Sequence, residues 1–153
     1  MRARAVDQPA DISTDPEAPP DRDWISVDDP RMSGSGQESL KVLSYNTLCD
    51  KMATHAMYGY TARNHLAWPH RKELILQEIR GRDADIVCLQ EIDQDSYQNL
   101  FRPDLAHKDY KGVFWPKSRA KWTHNESSLV DGCATFFKNS KYVDCAGVHE
   151  RQR

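Results

Sequence analysis

The sequence predicts an α/β fold, and three observations predict it. Two apolar runs of strand character, residues 40–48 and 85–91, flank a segment with a helical apolar stripe. A second helical segment and further short strand-like runs follow, giving the order β-α-β-α-β-β. The chain has 153 residues, the length of one ordinary domain, and its apolar residues are concentrated after position 40.

The first strand reads Leu-Lys-Val-Leu-Ser-Tyr-Asn-Thr-Leu over 40–48 and ends in polar residues. Residues 51–67 read as a loop with a short helical piece around 52–58. Pro69 suits a first helical position, Leu74, Ile75 and Ile79 form a stripe, and Gly81 is the expected stop. Residues 85–91, Asp-Ile-Val-Cys-Leu-Gln-Glu, have the pattern of a central strand covered on both faces. A helix over 94–106 is expected to be interrupted at Pro103. Strands are expected at 110–115, 132–138 and 141–143, with a polar loop over 116–131.

Composition divides the chain unevenly. Residues 1–39 hold five of the eight prolines and a Ser-Gly-Ser-Gly stretch, and read as a disordered acidic tail. The exception is residues 23–27, Asp-Trp-Ile-Ser-Val, an apolar clip that could dock on a folded neighbour. Residues 1–40 carry nine acids against four bases, and the remainder fourteen acids against seventeen bases. A mildly basic body is compatible with a polyanionic substrate without requiring one. The four cysteines, Cys49, Cys88, Cys133 and Cys145, form no Cys-x-x-Cys pair. They read as reduced and structural, in a cytoplasmic or nuclear protein. No stretch is apolar enough for a membrane span. A phosphate-cradling glycine loop, a paired-histidine zinc helix and a G-x-S-x-G elbow are all absent.

The candidate chemistry sits where two strands end in polar side chains they do not themselves need. The first ends in Asn46 and the second in Gln90-Glu91. If the strands are neighbours, Asn46 and Glu91 share one pocket at a carboxyl edge. A carboxylate beside a buried strand is costly unless a cation joins it, and Mg²⁺ takes one or two carboxylates with waters and phosphate. The alternative for Glu91 is a cap on the following helix, and for Asn46 a turn former. The loop from Trp115 alternates Lys117, Arg119 and Lys121 with aromatics, which suits a phosphate backbone with a stacked base and also an ordinary solvated loop.

Residues 43–51, Leu-Ser-Tyr-Asn-Thr-Leu-Cys-Asp-Lys, with Tyr58-Gly59-Tyr60, resemble the start of the catalytic domain of carbon-catabolite-repressor-type poly(A) deadenylases. These are nucleases of the Ccr–Not complex, within the endonuclease/exonuclease/phosphatase superfamily. Residues 71–76, 83–91, 115–121 and 130–138 continue the likeness in order, over about residues 40–142. The resemblance implies the N-terminal half of a DNase-I-like four-layer α/β sandwich over 40–143, after the tail and before a divergent segment, 144–153. It implies Glu91 as metal ligand, Asn46 as organiser of the active centre, and Lys117 and Arg119 as phosphate contacts. It further implies two Mg²⁺ ions, poly(A) RNA as substrate, release of AMP from the 3′ end, and membership of the Ccr–Not complex in cytoplasm and nucleus. The family's downstream Asp-x-Asn pair, further aspartate and histidine have no counterpart after Glu91. The chain alone is therefore expected to show little nuclease activity. Two alternatives are a non-catalytic interaction module and another phosphodiesterase of the superfamily.

Overall fold

The computed structural model describes residues 22–27, 39–117 and 131–142. Its elements are β1 (Val42–Asn46), a 3₁₀ turn at Asp50–Met52, α1 (Arg63–Leu66), α2 (Trp68–Arg82), β2 (Ile86–Asp93), α3 (Gln94–Ser96), a π-helical turn at Tyr97–Phe101, α4 (Arg102–Ala106), β3 (Tyr110–Pro116) and β4 (Asp131–Lys138). The strands form one sheet in the order β1-β2-β4-β3. β1 runs parallel to β2, and β4 pairs antiparallel with β2 and with β3. The parallel pair needs a crossover, which α2 supplies.

Both helical layers lie on the same face of the sheet. Ile75, Leu76 and Ile79 of α2 and Tyr97, Phe101 and Leu105 of the 94–106 segment join one buried cluster with Val87, Leu89, Ile92, Ala134 and Phe136. Burial of each such aliphatic side chain contributes about 1.5–3 kcal/mol. The Phe136 ring occupies the space where a side chain at Gly112 would stand, so glycine there lets β3 and the ring approach. On the opposite face Val42, Val113 and Trp115 are exposed. Among the described residues, β2 is therefore covered on one face rather than on both, as its apolar run had implied.

Several local expectations shift for physical reasons. α2 runs past Gly81 to Arg82, and Asp83 is the left-handed residue that closes it (φ 44°). Asp83 tolerates that conformation better than most residues, and its carboxylate accepts from Lys138 Nζ at 2.6 Å. Pro103 does not break the 94–106 helix. It sits in the first turn of α4, where its missing N–H matters least, and the π-helical turn before it absorbs the irregularity. The helical piece expected around 52–58 is a 3₁₀ turn at Asp50–Met52, and α1 comes later. Of the strand expected at 141–143, Lys141 and Tyr142 instead close a turn on the Lys138 carbonyl, and residue 143 falls outside the described residues. Cys133 is exposed, not buried, because it alternates with Ala134 onto the uncovered face. The expectations for 1–21, 28–38, 118–130 and 143–153, including Arg119 and Cys145, fall outside the described residues.

The apolar side chains of the clip at 23–27 stay exposed, Ile25 at 88% and Val27 at 92%, and contact with the domain is made chiefly by the residue before it, Arg22. Arg22 Nη1 donates to Glu78 Oε1 at 2.8 Å, and the Glu78 side chain is only 3% exposed. The Arg22 guanidinium also lies 5.4 Å from the centroid of Tyr45. Burial first, and the Glu78 carboxylate second, push the Tyr45 phenol above its ordinary pKa.

Asp85 anchors the start of β2. Its carboxylate accepts from Lys141 Nζ at 2.6 Å and from the Lys41 backbone N–H at 2.9 Å. These bonds hold its pKa below the ordinary carboxylate value. A depressed carboxylate stabilises the fold fully above its unfolded pKa of about 3.9, and the contribution disappears as pH falls through the folded value. Urea titrations between about pH 6 and pH 2 are expected to show a shallower acid loss of stability in Asp85→Asn than in the wild type. Parallel acid limbs would show that Asp85 does not carry this dependence.

Candidate active site

The parallel register of β1 and β2 sets Asn46 beside Gln90. Their neighbours Ser44 and Cys88 are also paired, and all four project from the face away from the helices. Strict alternation would then send Val87, Leu89 and Glu91 inward together. Val87 and Leu89 do point inward, with no exposed surface. Glu91 does not. The β2–β4 register slips between Gln90 and Ile92, so Glu91 is an extra residue and Ile92 takes the inward place. Gly132 stands opposite Ile92.

This bulge decides where the carboxylate goes. Glu91 has φ 55°, the left-handed region that glycine usually fills in such a bulge. For a residue with a Cβ the conformation costs about 1–2 kcal/mol. In return the charge is kept out of the apolar core, where an unpaired carboxylate would be far more unfavourable. The side chain emerges beside Asn46, whose Nδ2 donates to Glu91 Oε1 at 2.9 Å. Asn46 Oδ1 accepts from the Leu48 backbone N–H at 2.9 Å, so both ends of the amide are fixed. The structure therefore brings together the two residues that the strand ends singled out. β2 itself continues beyond Glu91 to Asp93, so Glu91 lies inside the strand and not at its tip. Asp93 instead caps α3, accepting from Ser96 N and Ser96 Oγ, each at 2.8 Å.

The segment after β1 is pinned by a residue that sequence reasoning did not single out. Arg71 Nη1 donates to the carbonyls of Thr47 (3.1 Å) and Leu48 (2.8 Å), and Arg71 Nε donates to the Leu66 carbonyl at 2.8 Å. Its side chain is 13% exposed and pairs with Asp50 at 3.4 Å. Burial pulls the guanidinium pKa down and Asp50 opposes that pull. Arginine remains charged under such shifts. In the sequence nothing separates Arg71 from the solvent-facing bases of the same helix.

Lys117 is placed by Asp131, to whose buried carboxylate its ammonium is paired, while the lysine side chain stays half exposed. Cys49 is buried, and that burial pushes its thiol up and away from thiolate reactivity.

The donor set has a definite character. Among the described residues no three His, Cys, Asp or Glu side chains converge as a metal site. Glu91 offers Oε2, which takes no hydrogen bond among the described residues, while Oε1 is held by Asn46. One oriented carboxylate beside a solvent-open face fits a hard, partly hydrated divalent ion that takes its remaining ligands from waters and a phosphate. It does not fit a closed zinc site.

A model of the Endonuclease/Exonuclease/phosphatase family matches residues 43–151. The protein named "CCR4-Not complex 3′-5′-exoribonuclease subunit Ccr4" of Phaeosphaeria nodorum is 61% identical over 129 residues, covering 84% of this chain and 21% of that protein. Its namesake in Coccidioides immitis is 54% identical over 129 residues, covering 82% and 17%. The chain thus spans about a fifth of the length of these relatives. Among solved structures, ANGEL2, titled a 2′,3′-cyclic phosphatase, aligns with a TM-score of 0.57 at 34% identity over 66% of this chain and 27% of that one.

Proposed function

The chain belongs to the endonuclease/exonuclease/phosphatase family, and from that premise we propose that it forms the Asn46–Glu91 part of a Mg²⁺-dependent 3′-to-5′ exoribonuclease acting on poly(A). The observation that carries the chemistry is the Glu91 carboxylate, turned out of the sheet by a bulge and oriented by Asn46 at 2.9 Å. The substrate and the CCR4-Not setting rest on the names of the fungal relatives. Members of the family are generally metal-dependent, and the identity of the ion as Mg²⁺ is part of the proposal. Action in cytoplasm and nucleus follows from the same reading.

A bound divalent ion would polarise a phosphate and lower the pKa of a water. The chain's own residues do the rest. Glu91 would hold the ion through the oxygen that Asn46 leaves open. Asn46 fixes the rotation of that carboxylate and is itself fixed by the Leu48 N–H. Lys117, held near the sheet by Asp131, and Arg119 would take phosphate oxygens of the RNA.

The test is substrate choice by the chain joined to the remainder of the family's domain, in Mg²⁺. Oligo(A), oligo(U), an abasic DNA duplex and an RNA ending in a 2′,3′-cyclic phosphate are compared. Stepwise AMP release from oligo(A), faster than any cleavage of the others, is the expected result. Preference for the cyclic end or the abasic site would replace this reading with another phosphodiesterase of the family.

A further inference from the structure

We propose that Thr47 is a positioning residue whose hydroxyl locks the left-handed backbone of Glu91 and so aims the Glu91 carboxylate. The inference deepens the metal role proposed above for Glu91 and rests on it.

A glutamate in a conformation suited to glycine stays there only when its surroundings over-determine it. Here the surroundings come from the residue that follows β1. Thr47, directly after Asn46, is 3% exposed. Its backbone N–H donates to the Gln90 carbonyl at 3.0 Å. Its hydroxyl lies 3.0 Å from that same carbonyl and 3.2 Å from the carbonyl of Glu91. One hydroxyl proton is thereby shared between the two carbonyls that bracket the bulged residue. The register slip lies between β2 and β4, and on the other edge of β2 the Thr47 hydroxyl supplies a donor to the Glu91 carbonyl. The Thr47 carbonyl is in turn held by Arg71 at 3.1 Å, so the donor cannot drift.

The consequence is a division of labour between the last residue of β1 and the one that follows it. Asn46 sets the rotation of the Glu91 side chain, and Thr47 sets the backbone from which that side chain projects. Removing the hydroxyl should leave Glu91 present but badly aimed. Outer partners of metal ligands are typically worth 10–100-fold in affinity.

The experiment measures Mn²⁺ binding to the chain joined to the remainder of its family's domain, by the electron paramagnetic resonance signal of the free ion. Wild type, Thr47→Val, Thr47→Ser and Glu91→Gln are compared. Valine keeps the shape without the hydroxyl, and serine keeps the hydroxyl without the methyl. The expected result is roughly tenfold weaker Mn²⁺ binding in Thr47→Val, and binding within about threefold of wild type in Thr47→Ser. Weak binding in Glu91→Gln with wild-type binding in Thr47→Val would overturn the role of Thr47 and leave that of Glu91 standing. Equal losses in the valine and serine variants would assign the effect to packing and also overturn it. Wild-type binding in Glu91→Gln, or no uptake of Mn²⁺ by the wild type, would remove both readings. A second measurement needs no variant: the Thr47 hydroxyl proton is expected to be visible by NMR through slow exchange with water. Exchange at the rate of a surface threonine would contradict the lock even if Thr47→Val failed to fold.

Discussion

Glu91→Gln is expected to lower phosphodiester hydrolysis by more than about 100-fold, because loss of even the outer partners of a metal ligand costs about 10–100-fold. The chain joined to the remainder of its family's domain is the form to assay. The substitution exchanges a carboxylate for an amide of nearly equal volume. The Asn46 Nδ2 donor, 2.9 Å from Oε1, still meets a carbonyl oxygen. The backbone strain at φ 55° is unchanged. Unfolding free energy should therefore stay within about 0.5 kcal/mol of wild type. What is lost is the negative charge that a hard cation needs. A variant that kept most of its activity would show that Glu91 does not hold the ion. One that lost both activity and cooperative unfolding would show that the bulge depends on the charge.

The second large effect is expected at Arg71. Arg71→Lys keeps a positive charge at the start of α2 but has no planar fork with which to reach the carbonyls of Thr47, Leu48 and Leu66 together. Hydrogen bonds to charged groups contribute about 1.5–3 kcal/mol each, and a lysine can recover only part of the set, so a loss of about 2–4 kcal/mol is expected. Urea denaturation of wild type and Arg71→Lys checks this through the transition midpoint at constant slope. A shift below about 0.5 kcal/mol would mean that water replaces the guanidinium without cost. Arg71 also anchors Thr47, so the same substitution should weaken Mn²⁺ binding along with stability.

The two halves of the candidate site differed in how legible they were. Asn46 and Glu91 were readable because each is a polar residue that an apolar strand does not require. Their proximity followed once β1 and β2 proved to be parallel neighbours. The extents of β1, α2, β3 and β4 were legible to within two or three residues for the same reason: periodicity and flanking polar residues mark them. The bulge was not legible from β2 alone. It exists only in the register with β4, and its one written trace is Gly132, an isolated glycine in a strand pattern. Thr47 and Arg71 were missed because the bonds by which they hold this segment run to backbone carbonyls, which carry no sequence signal. The strand expectation fails at Lys141 and Tyr142 because Lys141 has strand-like neighbours yet is committed to Asp85 across the end of the sheet.

Glu78 gives the position of Arg22 a practical meaning. Drawn from apolar content alone, the edge of the folded unit would fall near residue 40. A protein trimmed there would keep the interior carboxylate of α2 and lose its counter-ion, the guanidinium 56 positions upstream in sequence. Recombinant forms of this domain that begin at residue 22 or earlier retain that partner. Forms that begin later leave the Glu78 carboxylate, 3% exposed, without its guanidinium, and leave the Tyr45 ring without the cation beside it.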